Sequence, residues 1–396
     1  HPIPRRQRQM CIRDRPKQFK LDSMNSKKLE TLNTQDVLSM KGEGYYSKKT
    51  AGAKNAIDSI QEIVEKSVIS LPNKEILRFA DFGAADGGTS QELWYNLINL
   101  IRSGGDDRVI EIIYTDLASN DFSTLFKKMQ GMHGEKELAY QKIFDNVFVH
   151  GCGTGFHQQL LATDSLSLGF SATAMHYVSQ KPCQIKNHVH MVGADIAEKR
   201  QFMTQAAKDW DSILLSRAKE LASGGRFVCM NFGIDEKGRY LGNTGGHSMF
   251  DKFNQHWRTH LDQGIITKEE YINTTFAQHY RTVEEFCAPF NDKMSEVSKA
   301  GLKLLSCSTK LTKCPYRETY EKNIRTMSKK EFADSLIPTT RSWSETVFRT
   351  ALSNRCENES NEIIDSFYED YRAEVERNPD GHAMDYVHII MEIEKN

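Results

Sequence analysis

The sequence predicts an α/β fold, a mostly parallel sheet with helices on both faces. Two observations carry that expectation. Five short apolar runs, LRFADFG, RVIEIIYTD, DNVFVHGCG, SLSLGFS and SGGRFVCMNFG, are separated by stretches of helical period. Glycines and carboxylates stand at the ends of these runs, where sheets of this kind bind ligands.

The elements follow in order. From Thr50, TAGAKNAIDSIQEIVEKSV sets Ile57, Ile60, Val64 and Val68 at helical spacing, and Ser70-Leu-Pro stops the helix. LRFADFG is a buried strand. Ser90 to Ile101 is the next helix, with Ser103-Gly-Gly as its stop. Arg108 to Asp116, Asp145 to Gly153 and Ser165 to Ser171 are the second, third and fourth strands. A helix from Gln205 to Ala222 turns Trp210, Ile213, Leu214 and Leu221 toward a core, and Ser223 to Gly233 is the fifth strand. From Tyr240 to about Phe290 the character changes. Glycine-rich YLGNTGG leads into a polar, aromatic helical stretch, which reads as an insertion or cap. Lys303 to Leu311 is a further strand and Glu318 to Arg377 is mostly helical. MDYVHIIMEIEK closes the chain as a late strand, read as antiparallel.

The chain has 396 residues, 39% hydrophobic and 27% charged, which suits one large globular domain or two small ones. A net charge of -1 gives no broad electrostatic footprint for nucleic acid or an acidic membrane. The 13 histidines and eight cysteines show neither zinc spacing nor CxxC, so no metal is expected. The cysteines read as reduced thiols of a cytoplasmic protein. No run approaches the roughly 18 apolar residues of a membrane helix, and no apolar signal core leads the chain. Arg5 to Arg15, RRQRQMCIRDR, is the direct translation of a transposase-type sequencing adapter. Residues 1–23 are therefore expected to be a disordered, non-native tail, with Met24 as the start.

Three strand ends offer a ligand site. The first carries Asp81-Phe-Gly-Ala-Ala-Asp-Gly-Gly, whose glycines let the backbone approach a ligand closely. The second carries Asp116, placed to hydrogen-bond a ribose diol. The third carries Gly151-Cys-Gly-Thr-Gly. A dinucleotide fingerprint from Gly83 needs glycine where Ala85 stands, Asp86 would repel a pyrophosphate, and no GK[ST] follows. Singly, these features are a tight connection, a surface carboxylate and a loop. Together, and in order, they point to a nucleoside ligand without phosphates, of which S-adenosylmethionine is the common one. Its sulfonium suits nearby carboxylates and aromatic faces.

Five motifs then occur in the order of one family: MKGEGYYSKKT, ADFGAADGGTS, YTDLASNDFSTLF, GCGTGFHQQLL and SATAMHYVSQKP. GGRFVCMNFG and HYRTVEEF extend the match. The chain resembles the SABATH methyltransferases, which methylate small carboxylic acids such as salicylate, jasmonate and farnesoate, and ring nitrogens in caffeine biosynthesis. The resemblance implies a Rossmann-like class I methyltransferase sheet of seven strands, mostly parallel with the last antiparallel, under a helical cap. It places the core at 24–240 and 297–396 and the cap at 241–296 with part of 318–345, and homodimers are usual in that family. By motif position, Tyr46 and Thr50 cover the methionine part of the cofactor, and Asp81 and Gly83 line its entry turn. Thr89 stands where the family has asparagine. Asp116 and Leu117 hold ribose and adenine, and Gly155 and Phe156 match a Ser-Phe pair beside adenine, without the serine hydroxyl. Lys41 falls near the substrate, with Thr173, His176 and Tyr177, and with Phe250, Trp257 and Tyr280 from the cap.

The substrate side departs from the family pattern. Thr173 replaces a tyrosine, Tyr177 replaces the tryptophan that holds the acid, and Ala53 or Lys54 stands near the position of its glutamine partner. The usual carboxylate clamp is therefore not intact. A carboxylate has a reference pKa near ~4 and is already ionised at neutral pH, so methyl transfer to it needs no general base. A phenol would need one, and His176 is the candidate. The first expectation is methyl transfer to a small organic acid. The alternatives are N-methylation of a heteroaromatic ring and a cofactor-binding protein without transfer.

Overall fold

The computed structural model describes residues 51–396. The expectations for residues 1–23 and for Lys41, Tyr46 and Thr50 lie outside the described residues.

β1 (Ile76–Phe82), β2 (Val109–Asp116), β3 (Val147–Gly153), β4 (Leu166–Ala172) and β5 (Leu221–Ile234) form a parallel set. β6 (Arg281–Thr282) adds two residues beside the end of β5, and β7 (Leu302–Thr312) and β8 (Tyr386–Lys395) complete the sheet. The main order is β3-β2-β1-β4-β5-β8-β7. β8 runs antiparallel to both β5 and β7, as expected for the closing strand. The chain winds outward from β1 through β2 to β3, then returns to lay β4 on the other side of β1. That reversal opens a crevice at the carboxyl ends of β1, β2 and β4.

Helices cover both faces, which is why the central strands are apolar almost throughout. On one face Phe79 stacks on Trp94 at 5.9 Å, and Trp94 meets Phe170 edge-on at 5.8 Å. On the other, Phe82, Trp210, Leu214 and Phe227 share one buried cluster.

Three helices differ from expectation. The helix expected from Thr50 to Val68 is two, Ala51–Asp58 and Gln61–Ile69. Ser59 Oγ donates to the Ala56 carbonyl at 2.6 Å, a local bond that competes with helix continuation. The helix expected from Gln205 begins at Ile196, under a capping box of Asp195 and Glu198, and ends at Glu220. Leu221 and Ala222 are extended and open β5 directly. A helix at Phe122–Met129, inside the motif that carries Asp116, was not anticipated. Asp121 caps it by accepting from the Thr124 N–H.

Beyond β5, the helices Met249–Asp262, Lys268–Asn273, Lys329–Ala351 and Glu357–Arg377 gather around one aromatic cluster. Trp257, Phe348 and Phe367 lie at its centre, with ring separations from 4.4 to 5.3 Å. This body reaches the crevice through a contact between two backbone segments. Val178 N–H donates to Ala277 O at 3.0 Å, and His279 N–H donates to His176 O at 2.9 Å.

Candidate active site

The turn after β1 is held by its neighbour strand. The Gly83 and Ala84 N–H groups both donate to Thr115 O, at 2.9 and 3.1 Å. Gly83 has φ of +79°, and an added Cβ would lie 2.3 Å from the Ala174 Cβ, so only glycine fits. Ala85 also sits in the left-handed region, at φ 49°. Its N–H donates to Asp116 Oδ2 at 2.7 Å, and its carbonyl accepts from Asn120 Nδ2 at 2.7 Å. Asp116 Oδ1 accepts the Leu117 N–H, also at 2.7 Å. Each carboxylate oxygen is thus oriented by one backbone donor and keeps a lone pair for a further one. Burial raises the Asp116 carboxyl, against the pull of those two backbone N–H groups.

Asp81 lies one layer deeper, and the lining of the crevice does not include it. Its Oδ2 accepts from Ser90 Oγ at 2.6 Å and Trp94 Nε1 at 3.1 Å. Burial pushes its carboxyl up to about 6, and the charge of Asp116 adds to the rise, while the bonds from Ser90 and Trp94 oppose it. Asp81 therefore joins the turn to the following helix and sets a negative field beneath the crevice. Asp86, read from sequence as a charge that would repel phosphate, is instead paired with Lys128 at 2.9 Å, both nearly fully buried. The pairing offsets its charge, so the case against a dinucleotide rests on Ala85 and the glycine spacing.

The crevice is partly open to solvent and holds about 830 Å³ of empty space, its open mouth included. Gly83, Thr89, Asp116, Leu117, Gly155 and Phe156 are among the residues that line it. The loop bearing Phe156 is fixed from below. Arg217 donates to the carbonyls of Phe156 and Gln158, both at 3.0 Å. Glu220 Oε2 accepts from Arg217 Nε at 2.6 Å, and Glu220 Oε1 accepts the Leu160 N–H at 2.5 Å.

Thr173, Tyr177, Val178, Ser179 and His157 line it as well. Thr173 holds φ of +60°, an outlier for a β-branched residue, with its hydroxyl 3.1 Å from His388 Nε2. Met175 N–H donates to Asn231 Oδ1 at 2.8 Å, and Met175 O accepts from Arg281 at 2.9 Å. Ser179 is held by Asp209 through its N–H and its hydroxyl. His176 is 2% exposed and packs against Phe232 at 5.0 Å and Tyr280 at 5.7 Å, behind the wall rather than on it. Burial lowers it well below the usual histidine range. Phe250, Trp257 and Tyr280 are fully buried in the aromatic body and do not line the crevice.

Several of these residues went unnoticed in the sequence. Asn120 stands inside the TDLASNDF block and Arg281 inside HYRTVEEF, so the motifs held a signal for both. Arg217 and Glu220 had only a weak one, two charges three apart on the helix face that carries Leu214. His157 stands inside GCGTGFHQQLL, so that motif held a signal for it.

A parallel sheet with one reversed strand, a glycine turn after β1 and an oriented carboxylate after β2 define a class I methyltransferase. The residues present fit S-adenosylmethionine. The crowding at Gly83 leaves bare backbone at the turn, and Asp116 has open acceptor sites for a diol. A family profile described as SAM dependent carboxyl methyltransferase matches residues 34–396. The chain belongs to that family, whose cofactor is S-adenosylmethionine.

Loganic acid O-methyltransferase of Catharanthus roseus is 21% identical over 262 residues, 61% of this chain and 67% of that one. A probable 7-methylxanthine methyltransferase of Theobroma cacao is 29% identical over 218 residues, 49% of this chain and 58% of that one. Gibberellic acid methyltransferase 1 of Arabidopsis thaliana is 24% identical over 233 residues, 54% of this chain and 60% of that one. A solved structure of loganic acid methyltransferase with SAH superposes with a TM-score of 0.69 at 18% identity, over 90% of this chain and 98% of that one. That likeness establishes the fold. Among the described residues no helix is long and apolar enough to cross a membrane.

Proposed function

We propose that this protein transfers the methyl group of S-adenosylmethionine to the carboxylate of a small organic acid, giving a methyl ester. One observation carries the reading: the crevice joins the cofactor-type strand ends to a wall whose lining, among the described residues, has no charged group other than Asp116. An acceptor that is already ionised suits such a wall. Of the histidines a phenol could use as a base, His176 is buried behind the wall and only His157 lines it.

The cofactor, when bound, supplies a methyl carbon on a sulfonium, attacked in line by the acceptor oxygen. The chain's own residues hold the partners. Asp116 would take the ribose diol, Leu117 and Phe156 would enclose adenine, and the Gly83 turn would approach the methionine part. Tyr177 would face the acid. Positioning of this kind supplies roughly 7–11 kcal/mol in favourable cases.

The test is incubation with methyl-labelled S-adenosylmethionine and a pool of benzoate, salicylate, cinnamate, farnesoate, xanthosine and nicotinamide. Label in a neutral, base-labile product supports the ester. Base-stable label on xanthosine or nicotinamide replaces this reading with N-methylation; the cacao relative is named for a xanthine substrate. Cofactor bound with no acid labelled refutes the acid reading for this pool.

A further inference from the structure

Tyr177 and Gln278 face each other across an isolated antiparallel bridge. Residues directly opposed in such a pair project to the same side, with Cβ atoms roughly 5 Å apart. Tyr177 lines the crevice, while Gln278 is 1% exposed behind it. The Gln278 side chain is held in one orientation by two groups. Tyr280 OH donates to Gln278 Oε1 at 3.3 Å. His190 Nε2 lies 3.3 Å from the same oxygen.

The protonation of His190 is set by the backbone. Its Nδ1 accepts the Val192 N–H at 3.3 Å, so Nδ1 carries no proton. Burial holds the ring far below the usual histidine range and therefore neutral, with its single proton on Nε2. Face-to-face packing on Phe250, 3.8 Å away and 12° from parallel, fixes the ring plane. His190 therefore donates to Gln278 Oε1, as Tyr280 does. With its oxygen accepting twice, the amide keeps its NH₂ to offer, and the bridge sets Tyr177 opposite it. Burial raises the Tyr177 phenol, and the Gln278 side chain opposes that rise.

We propose that Gln278 is a positioning residue: its NH₂ donates to the Tyr177 phenol oxygen and so aims the hydroxyl proton into the crevice, where Tyr177 donates to a carboxylate oxygen of the acid being methylated. This rests on the carboxyl reading above. It gives the acid a neutral donor, set by the order His190 and Tyr280, then Gln278, then Tyr177. A neutral donor orients the carboxylate without neutralising the charge that makes it a nucleophile.

The experiment uses the full chain and whichever acid of the pool takes most label. Gln278→Leu and Tyr177→Phe should each raise KM for that acid at least tenfold, with KM for S-adenosylmethionine and the melting temperature little changed. Because the two act in series, the double variant should be no worse than Tyr177→Phe alone. Gln278→Glu makes the position an acceptor, turns the Tyr177 proton away from the crevice, and should weaken the acid more than Gln278→Leu. The proposal is overturned if Gln278→Leu leaves the acid KM within twofold, or if its effect adds to that of Tyr177→Phe. If no acid takes label in the unaltered protein, the carboxyl reading has failed and this proposal fails with it. A labelled acid with an indifferent Gln278 overturns this proposal alone.

Discussion

Arg217 and Glu220 stand one turn apart at the end of the helix Ile196–Glu220, and neither side chain reaches solvent. The Glu220 carboxylate accepts from Arg217 Nε at 2.6 Å and Arg217 Nη2 at 2.8 Å, and from the N–H groups of Leu160 and Leu161 at 2.5 and 3.2 Å. Arg217 also lies 4.0 Å over the ring of Phe82. Glu220→Gln keeps the shape of this centre and removes one charge. The guanidinium is then buried without its counter-ion, and removing one partner of a buried pair costs about 3–5 kcal/mol. Typical domain stability is about 5–15 kcal/mol, so the loss is a large share of the whole.

The same substitution loosens the loop that carries Phe156, because Arg217 holds that loop by two carbonyls. Urea unfolding should show the stability loss, and calorimetry at a temperature where the variant is folded should show weaker S-adenosylmethionine binding. A loss under about 1 kcal/mol would refute the reasoning, since it would mean that the charge on Glu220 does not hold this centre.

Two further predictions concern the cofactor side. Asp116→Ala removes an acceptor pair for the ribose, each charge-assisted bond contributing about 1.5–3 kcal/mol. Calorimetry should show affinity for S-adenosylmethionine falling about 100-fold or more, and a change within threefold would place the ribose elsewhere. Asp81 gives a pH dependence. Its carboxyl rises from 3.8 to about 6 on folding, which costs about 3 kcal/mol of stability wherever both folded and unfolded forms are ionised. That cost is full above pH 6 and fades as pH falls toward 3.8. Asp81→Asn should therefore be more stable than the unaltered protein at pH 7.5, by up to about 3 kcal/mol, and should lose the advantage near pH 4. Equal stability at pH 7.5 in urea unfolding would show that the bonds from Ser90 and Trp94 already offset burial.

The sequence by itself determined the sheet, its strand ends and the family. Those features are local. An apolar run, the glycine turn at Gly83 and the carboxylate at Asp116 are each written in a few consecutive residues. The handedness of parallel crossovers limits their spatial order, and the structure fixes it as β3-β2-β1-β4-β5-β8-β7. Helix limits were less legible, because they turn on single side chains. Asp195 starts one helix early, and Ser59 interrupts another.

Tertiary structure alone decided which charges and hydrogen bonds meet. Asp86 read as a free charge until the helix Phe122–Met129 brought Lys128 to it. His176 and Tyr177 are adjacent in sequence, yet one is buried and the other lines the crevice. Gln278 had no motif to mark it, and its orientation depends on His190, 88 residues earlier in the chain. A hydrogen bond between distant segments depends on how the helices and loops pack, and no local pattern of residues encodes that packing.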